Sequence, residues 1–360
     1  LNKININRVL VAPLDWGLGH ATRCIPIIRS FQELQIDVLI AAEGSIATLL
    51  RAEFPNLRII PLSGYQIHYS KTSNGLLWKL LSQVPKIFHA IRKEHDWLQH
   101  IIIDEKIDLV ISDNRYGLYS SLIPCVFITH QLTIKAPIAL VEHLLQKINY
   151  HFINRFSSCW IPDAAGEINL AGILSHPKIL PNIPIHYIGI LTRMIPLEKA
   201  IFEYQYCFLL SGPEPQRTIL ENQILSILST LSGSILMVRG LPGNLNTLSV
   251  PGHIKVKNHL STEQLAAILS SSELIICRSG YTTVMELIGI HKKALLIPTP
   301  GQTEQLYLAE KLQSDRRFFI SKQDGLNLMS AMEAAKKFPV QYVEILVFST
   351  KVLEALLLEI

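Results

Sequence analysis

The stretch 273–312, ELIICRSGYTTVMELIGIHKKALLIPTPGQTEQLYLAEKL, constrains the fold more than any other part of the chain. Leu274 to Cys277 is an apolar run with adjacent isoleucines, the pattern of a strand covered on both faces. Ser279-Gly280 breaks it, Tyr281 to Ile290 reads as a helix, and Ala294 to Ile297 is a second strand stopped by Pro298 and Pro300. A strand, helix and strand of this length make a crossover unit whose strands lie parallel. Ligands of open parallel sheets sit beyond the carboxyl ends of the strands. The turns Arg278–Thr283 and Thr299–Gln305 lie at such ends and are the first candidates for chemistry.

The same alternation runs through the chain. Strands are predicted at Arg8–Pro13, Asp37–Ala42, Arg58–Leu62, Ile107–Ser112, Cys125–Thr129 and His186–Ile190, with helices over about 21–34 and including 47–51. After the proline- and glycine-rich segment His176–Pro196 a second series starts. It has a strand at Tyr206–Leu210, a helix at Arg217–Leu231, a strand at Ile235–Arg239 and a helix at Thr262–Ser271. A chain of 360 residues exceeds the usual size of one core. The expectation is therefore α/β with two doubly wound, Rossmann-like domains, residues 1–195 and 196–345, and a linker near Arg193–Glu203. Val340–Leu358 reads as a final apolar-faced helix, whose end forms residues 346–360.

Two helices, Leu76–Leu98 and Ile138–Phe156, carry long apolar stripes. In the first, Leu76, Leu77, Leu80, Leu81, Val84, Ile87, Phe88 and Ile91 alternate with Lys79, Lys86, Arg92 and Lys93; the second carries Lys147 and Arg155. They read either as helices packed on the sheet or as a basic amphipathic surface resting on lipid. The chain is 49% hydrophobic and 17% charged, yet has no uncharged run of eighteen apolar residues, so no spanning helix is expected. The opening LNKININ lacks the apolar core of a signal peptide. Cys24, Cys125, Cys159, Cys207 and Cys277 are dispersed and make neither a disulfide framework nor a metal-ligand spacing, which points to a reducing cytoplasm. A net charge of +4 suits anionic ligands or membrane surfaces but is too small to argue for nucleic acid.

Four loops carry the candidate chemistry. Gly280 opens a helix whose unpaired N–H groups suit a phosphate, with Ser279, Thr282 and Thr283 adding hydroxyls. Glu286 follows on the Thr282–Thr283 side of that helix. It suits a ribose diol, or it closes a capping box with Thr283. Ser211-Gly212-Pro213-Glu214-Pro215-Gln216-Arg217 is a second strand-to-helix turn, with Arg217 either a counter-charge for an anion or part of a proline-initiated helix start. In the first half, Gly17-Leu18-Gly19-His20 lies between strand and helix, where His20 is either a general base or structural. Ser112-Asp113-Asn114-Arg115-Tyr116-Gly117 and Thr129-His130-Gln131 end two further strands. Asp113 and His130 are second-tier candidates there, Asp113 alternatively an ordinary loop cap. The chain shows no nucleophile elbow, Walker loop or zinc signature.

RSGYTTVMEL followed by IPTPGQTEQ resembles the C-terminal signature of family 28 glycosyltransferases, which include the peptidoglycan lipid-intermediate N-acetylglucosaminyltransferase and the diacylglycerol galactosyltransferases. Gly17-Leu18-Gly19-His20 resembles that family's glycine-rich loop ending in His. The resemblance implies the GT-B architecture, two Rossmann-like domains facing a cleft, with a last helix that crosses back to the N-terminal domain. It further implies that Glu286 binds ribose hydroxyls, that Ser279-Gly280 with Tyr281 lines the diphosphate, and that Gln305 with Glu304 reaches the sugar; Arg278 and Thr282 join them as donor-binding candidates. Backbone near Leu260 meets the uracil, and Ser211-Gly212 takes the place of a second glycine loop. Gly17, Gly19, Asn114, Arg115 and His130 fall on the acceptor side, with His20 or Asp113 as the base. The chain departs from the family in its DWGLGH and SGPEPQR loops and in Leu306, where the peptidoglycan enzyme has a second glutamine.

The implied function is metal-independent transfer of a hexose or N-acetylhexosamine from a UDP-sugar, itself a substrate, with no cofactor. The acceptor is unidentified, lipid-linked or glycan, reached from the cytoplasm at the inner face of the membrane. A UDP-sugar 2-epimerase and a non-catalytic nucleotide-sugar binder share the fold and remain alternatives.

Overall fold

A computed structural model describes residues 6–65, 76–136, 138–194, 202–246 and 248–360, with side chains for all of these except 76–84. The described chain forms two compact units. One runs to Thr192 and is completed by Ile345–Ile360; the other is built on Arg193–Glu344. The expected linker around Arg193–Glu203 lies largely outside the described residues.

The first unit is a seven-stranded parallel sheet: β1 (Arg8–Pro13), β2 (Asp37–Ala41), β3 (Ile59–Ile60), β4 (Leu109–Asp113), β5 (Cys125–Ile128), β6 (Ser158–Ile161) and β7 (Ile185–Tyr187). Their order is β3-β2-β1-β4-β5-β6-β7. The helices are α1 (Leu18–Glu33), α2 (Gly44–Glu53), α3 (Leu76–Asp104) and α4 (Ala139–Ile153). Leu10, Val110, Phe127 and Cys159, one from each of four neighbouring strands, are fully buried in one core cluster. Strands buried on both faces need unbroken apolar runs, which is why β1 and β5 were legible.

The second unit is a six-stranded parallel sheet. Its strands are β8 (Tyr204–Leu209), β9 (Ile235–Val238), β10 (Ile254–Lys257), β11 (Ser272–Cys277), β12 (Ala294–Leu296) and β13 (Phe319–Ile320), ordered β10-β9-β8-β11-β12-β13. Its helices are α5 (Gln216–Leu228), α6 (Thr262–Ser270), α7 (Tyr281–Gly289), α8 (Thr303–Ser314) and α9 (Leu328–Lys337). The predicted crossover is present: β11 and β12 pair in parallel, Ile276 opposite Leu295, with α7 between them in sequence.

Three expectations are corrected. Gly19 and His20 lie in the first turn of α1, which starts at Leu18 rather than Ala21. The turn Thr299–Gln305 is loop only to Gln302, after which α8 begins. The final helix, α10 (Thr350–Leu357), is shorter than predicted. Ahead of it Val347 bridges Ile190, with Ile190 N–H donating to the Leu346 carbonyl at 2.8 Å. Gly189 permits this approach: its φ is +77°, and a Cβ there would lie 2.3 Å from the Leu346 carbonyl oxygen. The helix α10 buries Leu353 and Leu356 and packs on α1, with Thr350 bonded to Ser30 and Glu33.

Candidate functional site

In each sheet the strand order reverses at the first strand of the unit, beside β1 and β4 in one and beside β8 and β11 in the other. Crevices beyond the carboxyl ends of such strands are where open α/β sheets bind ligands. The predicted loops fall at these two points.

In the first unit, β1 pairs with β4 so that Pro13 lies opposite Asp113. His20 in the first turn of α1 and Asp113 at the end of β4 meet: His20 Nδ1 lies 2.9 Å from Asp113 Oδ2. With its hydrogen on Nδ1 the ring donates to this carboxylate, which only accepts, and Nε2 keeps its lone pair; donor-only Arg23 Nη2 lies 2.9 Å from the same Nδ1. Asp113 is fully buried, whereas 17% of the His20 side chain is exposed. Arg23, three residues along α1 from His20, is missing from the sequence-derived candidates. Its Nε lies 2.9 Å from both Asp113 oxygens, and its Nη2 also bonds Asp113 Oδ1. Its Nη1 reaches Nδ1 of buried His130 at 3.3 Å. Burial opposes ionisation of Asp113, but Arg23 and His20 outweigh it and hold the carboxyl below its ordinary range. Burial lowers the His20 pKa, and Arg23 pushes it the same way against the pull of Asp113. The i, i+3 spacing of His20 and Arg23 in GHATR was the available signal.

The other residues at that end divide. Gly17 is the N-cap of α1 with φ +123° and no atom within 4 Å of its would-be Cβ, an open position. Gly19 is half-buried in the same turn. Asn114 adopts a left-handed φ of 57° and donates its N–H to Ile128. Arg115, expected on the acceptor side, is instead locked in the interior. It donates to Glu94 Oε1 at 2.7 Å and to the carbonyls of Ser63 and Pro13 at 2.6 and 3.2 Å. The Tyr65 hydroxyl and Gly117 N–H bond the other Glu94 oxygen. A buried guanidinium can persist only when matched in this way.

In the second unit Gly280 is the N-cap of α7, with φ −69° and no atom within 4 Å of a built Cβ. Neither backbone strain nor crowding demands glycine there; the space is open. Because the N-cap is Gly280 and no side chain caps the helix, the Thr283–Glu286 capping box is not formed. Glu286, almost fully buried, pairs instead with Arg193, whose Nε donates to Oε1 at 2.7 Å. Arg193 Nη1 also donates to Thr262 at 3.1 Å, tying α7 to the start of α6, next to Leu260. Among the described residues, Glu286 Oε2 has no hydrogen-bond partner.

Several expected ligand contacts are consumed by the fold. Arg217 is spent on Glu214 and Glu221, at 2.6 and 3.2 Å, and so is no counter-charge for an anion. Arg278 is buried and donates to the carbonyls of Gln216, Ile297 and Pro298, and desolvation brings its pKa down to about 10. The Ser279 hydroxyl donates to the Gln305 carbonyl at 3.0 Å, and the Tyr281 ring is buried. The Gln305 amide accepts from Thr299 N–H at 2.9 Å and bonds Gln302. Ser211, Gly212, Gly280, Thr282 and Glu304 remain at least partly exposed. Among the described residues no cluster of three His, Cys, Asp or Glu side chains is placed to hold a metal ion.

Two parallel sheets, each wound with helices, are the fold of the GT-B glycosyltransferases, and solved structures of that kind superpose on this chain. MurG of Acinetobacter baumannii superposes with a TM-score of 0.55 at 16% identity, covering 98% of this chain and 99% of that one. The Streptomyces glycosyltransferase SsfS6, solved with thymidine diphosphate, superposes with a TM-score of 0.58 at 13% identity, covering 97% and 99%. Residues 245–332 match the glycosyltransferase family 28 C-terminal domain. A 63-residue stretch is 36% identical to the UDP-N-acetylglucosamine–N-acetylmuramyl-(pentapeptide) pyrophosphoryl-undecaprenol N-acetylglucosamine transferase of Desulforudis audaxviator; it spans 18% of this chain and 16% of that relative. Over residues 245–332, then, the chain is similar to the family 28 glycosyltransferases, and its two-sheet fold is that of GT-B structures.

Proposed function

We propose that this protein moves a hexose or N-acetylhexosamine from a uridine diphosphate sugar to a hydroxyl of a lipid-linked or glycan acceptor, without a divalent metal. One coincidence carries the reading: the family 28 segment holds β11, α7 and β12, so its match falls on the crevice end where Gly280 is open and Glu286 keeps one oxygen unpaired. A diphosphate there meets the first-turn N–H groups of α7 and the Ser211-Gly212 turn, whose fixed dipoles take up the charge of the leaving group. The ribose hydroxyls donate to Glu286. In the first domain, His20 Nε2 takes the acceptor proton as the oxygen attacks the anomeric carbon and the bond to the diphosphate breaks. Asp113 holds the ring through Nδ1 and balances the imidazolium. The uridine nucleotide follows the Desulforudis relative, a UDP-N-acetylglucosamine transferase, and thymidine diphosphate is the natural competitor to test.

Calorimetry in the presence of a chelator should show UDP binding in preference to thymidine diphosphate. A protein that binds neither nucleotide is not a nucleotide-sugar transferase. Incubation with UDP-N-acetylglucosamine alone separates transfer from 2-epimerisation, because only an epimerase converts the sugar without an acceptor.

A peripheral membrane position at the cytoplasmic leaflet extends the proposal. On α4, Leu140, Leu144 and Ile148 recur every fourth residue, all exposed, and Phe88 of α3 is exposed beside them through its contact with Phe152. Lys86, Arg92 and Lys93 of α3, Lys147 of α4 and Arg155 just beyond it are exposed. The basic stripe at Leu76–Val84, with Lys79, lies outside the described side chains. No described helix is long and apolar enough to cross a membrane. An apolar stripe flanked by cations binds anionic bilayers reversibly. Co-sedimentation with phosphatidylglycerol vesicles should fall in Leu140→Glu/Leu144→Glu; equal sedimentation refutes the surface.

A further inference from the structure

Arg23 touches Asp113, His20 and His130, yet no step of transfer draws on it. It is 2% exposed, and an arginine is always charged and only donates. Its Nε and Nη2 both bond the Asp113 carboxylate, which fixes that group in one orientation and directs Oδ2 at His20 Nδ1. The charge balance follows. A buried carboxylate needs one counter-ion. With Arg23 in place the pair is neutral before His20 gains a proton, and the guanidinium, with Nη2 2.9 Å from His20 Nδ1, repels an imidazolium. Without it, the only cation available to Asp113 among the described residues would be a protonated His20.

We propose that Arg23 is a positioning residue that neutralises Asp113 in place of a protonated His20, so that the imidazole stays uncharged with Nε2 open as a proton acceptor. The groups facing His20 are Arg23 on its own helix, Asp113 at the end of β4 and His130 at the end of β5; Cys24 Sγ lies 3.9 Å from Asp113. Arg23 Nη1 lies 3.3 Å from His130 Nδ1, so the same guanidinium spans both imidazoles. The direction of the His20 shift agrees, with burial first and Arg23 second in lowering it. The role rests on the glycosyltransfer reading, but the charge balance is testable without turnover.

The test is an NMR pH titration of the histidine side chains in the full ligand-free chain, with His20→Gln assigning the resonance. Wild-type His20 should titrate below its ordinary value of 6.5. In Arg23→Met it should rise by about one pH unit or more, the size a neighbouring charge imposes. Arg23→Lys, which keeps the charge, should hold it low. The acid limb of UDP-sugar turnover should move up with the titration in Arg23→Met. A wild-type value at or above 6.5, or an unmoved His20 in folded Arg23→Met, overturns the proposal. Should Arg23→Met fail to fold, the wild-type and Arg23→Lys titrations decide it. If the titration moves as expected but wild type turns over no UDP-sugar, the glycosyltransfer reading has failed and the charge balance has not.

Discussion

Replacing Arg193 tests the second domain most sharply, because its partner Glu286 lies on another element 93 residues away and both are more than nine-tenths buried. Arg193→Met leaves the Glu286 carboxylate in the interior without its only cation among the described residues. Breaking a buried pair from one side costs about 3–5 kcal/mol. In a unit of this size each kcal/mol lowers Tm by roughly 2–4 °C, so the fall should be about 6–20 °C. The double variant Arg193→Met/Glu286→Leu removes both charges and should recover most of that loss, since an apolar pair of similar volume is about neutral or better. Nucleotide binding should not recover. Each ribose hydroxyl donated to a carboxylate contributes roughly 1.5–3 kcal/mol, so losing Glu286 weakens UDP at least about tenfold. Scanning calorimetry and titration calorimetry on wild type, both single variants and the double variant separate the two effects. The reasoning is refuted if Arg193→Met melts with wild type, or if the stable double variant binds UDP as wild type does.

Three further outcomes are expected. Gly280→Ala should leave Tm within about 2 °C, because its φ is allowed and its Cβ meets nothing, yet weaken UDP binding by crowding the diphosphate; unchanged affinity would remove the phosphate from that helix end. His20→Ala should lower turnover by about 10²–10⁴-fold with UDP affinity retained, as measured by initial rates beside calorimetry. Stability should fall on acidification as Asp113 is protonated. Its folded pKa is depressed, so its contribution is present above the ordinary carboxylate range and lost as pH falls through the folded value. In acid unfolding monitored by circular dichroism, Asp113→Asn should flatten that limb.

The candidate site was half legible. The loops themselves were found because strand ends in parallel sheets announce themselves by an apolar run that stops at a polar, glycine-bearing turn. Which side chains in those loops are available was not legible. Arg115 and Arg217 look like anion ligands in sequence, but each guanidinium is consumed by carboxylates or carbonyls brought together by folding, and Arg278 spends both Nη atoms on carbonyls while its buried Nε has no partner among the described residues. Arg23 and Arg193 were missed for the opposite reason, since each gains its meaning from an acid about ninety positions away. The edge strands of the second sheet, β10 and β13, also escaped notice. In β10 the outward Lys255 and Lys257 alternate with Ile254 and Val256, and four such residues are too short a pattern to separate from a loop.

The sequence by itself determined the layered α/β architecture, the parallel crossover at 274–297 and the positions of the glycine turns. These depend on local chemistry: runs of apolar residues, breakers and helix-start residues act within a few positions. Only the tertiary structure decided that Asp113 serves His20 and Arg23, that Arg193 holds Glu286, and that Gly280 opens onto empty space. Those facts depend on which charges meet once strands distant in the chain lie side by side, and on the cost of burying any charge without a partner.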